Sequence, residues 1–97
     1  MSATAAIKKM EERIANTYII IVVTQGFVYT GNVESLDEGH IVVNQAFNIR
    51  QWGTDKGLGQ LAVEGKQSGT VLDDCGIVIV PYQQIVSILP CAHQLKN

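Results

Sequence analysis

Between residues 17 and 52 the chain runs in short apolar stretches broken by turn residues. Residues 17–24 (TYIIIVVT) are dense in β-branched side chains and lack a helical period, which predicts a strand. The stretch is apolar at odd and even positions alike, so burial on both faces is expected. Gln25-Gly26 reads as a tight turn. Residues 27–36 predict a second strand, with Phe27, Tyr29, Gly31 and Val33 on a buried face and Val28, Thr30, Asn32 and Glu34 opposite. Gly31 leaves room for a sharp bend. In the turn Asp37-Glu38-Gly39-His40, Gly39 is expected to supply a positive φ. Residues 41–52 predict a third strand that points Ile41, Val43, Phe47 and Ile49 one way and Asn44, Asn48 and Arg50 the other.

The flanks differ. Within residues 1–16 an N-terminal helix is predicted, because Ile7, Met10 and Ile14 fall on one face. Residues 53–75 hold five of the nine glycines and read as an extended loop or flap, with a helical turn near the apolar patch 58–63. Residues 76–80 (GIVIV) predict a fourth strand stopped by Pro81, and residues 85–89 a fifth ended by Pro90. Residues 91–97 read as a polar tail. The pattern predicts one mainly β domain over residues 1–97. It consists of an N-terminal helix and a small, strongly bent, five-stranded antiparallel barrel, with a long insertion between strands three and four.

Composition narrows the function. Of 97 residues, 46% are hydrophobic and only 16% charged, which excludes a disordered chain. A net charge of −2 excludes nucleic-acid binding through bulk positive charge. So apolar a small domain is expected to bury further surface in an oligomer. The longest aliphatic run, residues 19–23, is far short of the ~20 residues of a membrane helix, so no membrane partner is expected. Lys8 and Lys9 lead into Glu11, Glu12 and Arg13 rather than an apolar core, so no secretory leader is expected and the location is read as cytoplasmic. Cys75 and Cys91 are too few for a disulfide framework and are read as buried, reduced thiols.

Candidate chemistry is sparse. No nucleophile, base and oxyanion donors come together in the sequence, so no enzyme and no cofactor are expected. His40 has no Cys or second His nearby to complete a metal site. Residues 57–62 (GLGQLA) have the form of a dinucleotide loop but lack the βαβ unit that loop requires.

One set of residues goes further. Val23, Gly26, Tyr29-Thr30-Gly31, Val33, Asp37, Ile41-Val42-Val43 and Ala46 stand in sequence order along the three predicted strands and their turns. This order resembles the first motif of the Sm-like (LSm and Hfq-type) family, without a gap from Gly26 through Asp37, and residues 76–88 (GIVIVPYQQIVSI) resemble its second. Asp37 matches the family's acidic turn, and His40 stands nearest its Asn position. Ile79-Val80-Pro81 stands where the family has Ile-Arg-Gly, and the Tyr-Lys-His of the Hfq type is absent.

The resemblance implies a homo-oligomeric ring, hexamer or heptamer, in which strand four of one subunit pairs with strand five of the next. Ile77, Ile79, Ile85 and Ile88 would lie at that interface. It also implies short single-stranded RNA at the pore, read by Asp37, Gly39 and His40, with Lys8 and Lys9 steering phosphates. Arg50 beside Trp52 is a further candidate RNA contact. Two other readings stay open: a ring that has lost the base pocket and scaffolds other proteins, and a monomeric barrel holding a small ligand under the 53–75 flap.

Overall fold

A computed structural model describes residues 12–96. It places β1 at Tyr18–Val23, β2 at Val28–Leu36, β3 at His40–Gln51, α1 at Leu58–Glu64, β4 at Val71–Pro81 and β5 at Ile85–Pro90. Of the predicted N-terminal helix, residues 12–14 are helical with Ile14 buried, and residues 15–16 turn out of it; residues 1–11 lie outside the described residues.

The five strands form one antiparallel sheet in the order β4-β3-β2-β1-β5. The sheet is strongly bent and not closed, so β4 and β5 are its two edges. The bend has a sequence cause. A Cβ on Gly31 would lie 2.6 Å from Val43 Cγ1 and 2.7 Å from the Asn44 carbonyl oxygen. Only glycine lets β2 approach β3 this closely, and the β2–β3 register breaks there, between Thr30 and Asn32. Opposite it, Gln45 adopts φ 48° and β3 slips register against β4 between Val43 and Ala46.

Both faces of the sheet are covered. Ile19 and Ile21 of β1 join Ile14, Val33, Ile41, Val43, Ala46 and Val80 in one core. Tyr18 and Ile20 join Val28, Ile49, Leu61, Ala62, Leu72 and Leu95 in a second. This double burial is what the unbroken apolar run of β1 predicts. The helix over the second core is α1, from the insertion.

The strict alternation expected for β2 and β3 does not hold. The Gln45 bulge adds one residue and switches faces, so Ile41 and Val43 enter the first core while Ile49 enters the second and Phe47 packs against it. On β2, Val28 and Thr30 are buried while Phe27 is half exposed.

The glycine-rich loop is shorter than residues 53–75. β4 begins at Val71, because Val71 and Leu72 pair with Gln51 and Ile49, and Leu72 fills the second core. The base of the insertion is clasped. Gly53, at φ 67°, packs so tightly on Gly69 and Thr70 that a Cβ would lie 2.1 Å from the Gly69 carbonyl carbon. The Thr70 hydroxyl donates to the Trp52 carbonyl at 2.7 Å. The tail is not merely polar: Leu95 is fully buried, and the Tyr18 hydroxyl donates to its carbonyl at 3.0 Å. Cys75 is exposed and Cys91 half-buried; burial pushes the Cys91 thiol up to about 11.

Candidate functional site

The turn between β2 and β3 is built around one carboxylate. Asp37 Oδ1 accepts the backbone N–H of Gly39 at 2.8 Å and of His40 at 2.9 Å, while Oδ2 meets His40 Nε2 at 2.9 Å. The backbone N–H bonds from Gly39 and His40 hold Asp37 below the usual carboxylate range against the opposing desolvation, with a smaller further lowering from the His40 ring. A carboxylate with a depressed pKa gives its full contribution above its unfolded value. That contribution is lost as pH falls through the lower folded one.

Gly39 does not play the part expected of it. Its φ is not in the left-handed region, and a Cβ there would meet only Asp37 Oδ1, at an ordinary 3.9 Å. The Asp37 side chain turns the backbone instead. Gly39→Ala is therefore expected to be neutral or to stabilise by up to about 1 kcal/mol, because alanine narrows the unfolded ensemble. Chemical denaturation of the two proteins checks this.

A second turn docks on the first. The Tyr82 hydroxyl donates to the Asp37 carbonyl, and the Tyr82 N–H donates to the Gly39 carbonyl at 3.1 Å. His40 pairs with Pro81 at the end of β4, and Val23 pairs with Ile85 at the start of β5. The three-residue turn Tyr82–Gln84 therefore spans from the β2–β3 turn to the β1–β2 turn, where the Thr24 hydroxyl donates to the Gln84 side chain. Three turns share one rim. Tyr82 was not singled out in the sequence; its place directly after Pro81 in the second motif was the available signal.

The other candidates are scattered. Arg50 stands at the far end of β3 from His40, and its Nε donates to Asp73 on β4 at 2.8 Å. Lys8 and Lys9 lie outside the described residues. Ile77 and Ile79 project from the β4 edge, each 60% exposed. Ile85 and Ile88 on β5 are partly buried against the first core, and Val86 between them is the exposed large hydrophobic of that strand, at 63%. Among the described residues no cluster of three or more His, Cys, Asp or Glu is placed to hold a metal ion.

Solved structures share this architecture. A P. aerophilum SmAP1 heptamer aligns with TM-score 0.60 over 91% of this chain and 96% of that one, at 12% identity. A heptameric archaeal Sm protein aligns with TM-score 0.56 over 84% and 96%, at 13% identity. The fold is Sm-like. A Pyrococcus abyssii Sm protein in complex with a uridine heptamer also matches, with TM-score 0.52 over 86% of this chain and 94% of that one, at 14% identity. No protein-family model and no curated protein matches the chain. At such identity the Sm-like fold is shared while most side chains are not.

Proposed function

We propose that this chain assembles into a closed homo-oligomeric ring, hexamer or heptamer, that holds short single-stranded RNA at its pore. The open sheet carries this reading. β4 and β5 are both unpaired edges, and they present Ile77 and Ile79 on one side and Val86 on the other. A long apolar edge left bare is an aggregation hazard, which edge-to-edge pairing around a ring removes. The contact is head-to-tail, and a head-to-tail contact closes when its rotation divides the circle. Two of the solved structures with this fold are heptamers, and a third carries a uridine heptamer, which supports the reading. Asp37, Gly39 and His40 are the proposed base contacts, with Lys8 and Lys9 steering phosphates.

Two observations favour a second reading, a ring that scaffolds other proteins. The Asp37 carboxylate is already occupied by Gly39 and His40, and no arginine stands at the second motif to stack on a base.

Light scattering on the purified chain, then fluorescence anisotropy with oligouridine across a salt series, tests both readings. The expected result is a hexamer or heptamer mass, with binding that weakens as salt rises. A ring that ignores RNA at low salt selects the scaffold, and a monomer mass sinks both readings.

A further inference from the structure

On the face of the sheet that carries the second core, a cleft of about 490 Å³ opens between the β3–β4 pair and the C-terminal tail. Tyr18, Gln45 and Phe47 line one part, and Asp74, Gln94 and Lys96 the rest. Its volume is that of a small-ligand site. It lies away from the rim where Asp37, His40 and Tyr82 meet, and nothing in the proposed RNA reading uses it.

Two irregularities face each other here. Gln45 is a non-glycine residue at φ 48° in the β3 bulge. Across the ladder, Gly76 at φ 74° pairs with Ala46, and the register slips again before Phe47 meets Asp74. Bulges re-aim side chains, and they bring Gln45 and Asp74 to the same opening. Gly31 accounts for the bend of β2 over β3, but not for the second break, in β4.

The polar atoms left over define the occupant. Asp74 Oδ1 accepts the Gly76 N–H at 2.9 Å, while Oδ2 makes no hydrogen bond among the described residues. Gln45 accepts from Asn32 through Oε1 at 3.2 Å, which leaves its NH2 to donate. Gln94 offers a donor and an acceptor, and Lys96 has no ion-pair partner among the described residues. Phe47 and Tyr18 supply apolar ring surface. A carboxylate oxygen, two amides and an ammonium around aromatic rings match a flat heterocycle with N–H donors on one edge and an anionic group beyond.

We infer that this cleft binds a purine nucleotide: the guanine edge donates to Asp74, the amides of Gln45 and Gln94 meet the remaining base atoms, the base rests on Phe47, and the phosphate meets Lys96. Guanine presents adjacent N–H donors where adenine and uracil do not, so guanine is preferred. The nucleotide is either free or part of an RNA strand.

The test is an amide NMR titration of the intact protein with guanosine 5′-monophosphate, with uridine 5′-monophosphate and guanosine as comparisons. A short RNA ending in guanosine distinguishes a strand from a free nucleotide. The guanine ligand is expected to shift the amides of Gln45, Phe47, Asp74 and Lys96. Uridine monophosphate leaves them in place, and guanosine binds more weakly for want of the phosphate. Asp74→Asn keeps the acceptor for Gly76 but turns the free oxygen into a donor, and is expected to weaken guanine binding by about tenfold or more. Lys96→Ala, on an exposed tail position, is expected to abolish the difference between guanosine and its monophosphate. Absence of shifts at these amides, equal response to uridine monophosphate, or full affinity in both variants would overturn the assignment. The result is independent of oligouridine binding at the pore, since the two sites share no residue.

Discussion

Gly31→Ala is expected to lose about 2–3 kcal/mol of folding stability, the upper part of the range for overpacking a core. The residue has an unstrained φ, so the cost is purely one of space. The new methyl meets Val43 Cγ1, the Asn44 carbonyl oxygen and, at 3.1 Å, the Ala46 α-carbon. Two of these three are backbone atoms of β3, and Val43 and Ala46 are fully buried. No side chain can swing aside, so β2 must lift from β3 at the break in their register. For a domain of this size the loss corresponds to a fall of about 8–20 °C in Tm. Urea denaturation should show the midpoint falling with the slope unchanged. A variant as stable as wild type would mean that the β2–β3 approach is not this close. Gly39→Ala is the internal comparison, since its methyl meets nothing but a side-chain oxygen at contact distance.

The second large effect concerns assembly. Ile77→Lys combined with Ile79→Lys is expected to convert the proposed ring to monomers without lowering the stability of the single chain. Both side chains are 60% exposed on β4, so the isolated sheet loses little packing. In a ring they would be covered by β5 of the neighbour, and each interface would bury two unpaired ammonium groups at a cost of several kcal/mol. The penalty recurs at every interface of a head-to-tail ring, so the assembly dissociates as a whole. Light scattering reads the change in mass. Val63→Lys is the control, because Val63 is 68% exposed on α1 rather than on either edge strand, and its replacement is expected to leave the mass unchanged. A ring that survives the double substitution would place the subunit contact somewhere other than the β4 edge.

The candidate site was half legible. The acidic turn at Asp37 and His40 could be read from its position after the Tyr-Thr-Gly run. The pairing of its atoms could not, since a glycine in a turn is the usual sign of positive φ and here the Asp37 carboxylate does that work. Tyr82 escaped notice because its partners are Asp37 and Gly39, over forty positions away in the chain. Arg50 looked available for RNA because Asp73, which binds it, lies across a strand boundary that the sequence placed five residues too late. Asp73-Asp74-Cys75 fall in the stretch read as flap, yet these residues belong to β4, where Asp73 pairs with Arg50 and Asp74 accepts the Gly76 N–H.

Local chemistry alone determined the order of the elements and the bend. β-branched runs, prolines that end ladders, the positive-φ turn at Gln25-Gly26 and a glycine where β2 closely approaches β3 act over a few residues, and they are written where they act. Tertiary structure alone decided which face each strand residue enters beyond Gln45, the covering of the second core by α1 and Leu95, and the opening of the cleft beside the two bulges. Period-two alternation holds only while register holds, and a one-residue bulge reverses it without any local signal in Asn44-Gln45-Ala46. A leucine in a polar tail or an apolar patch among glycines acquires a role only when the folded sheet offers it a surface to bury against.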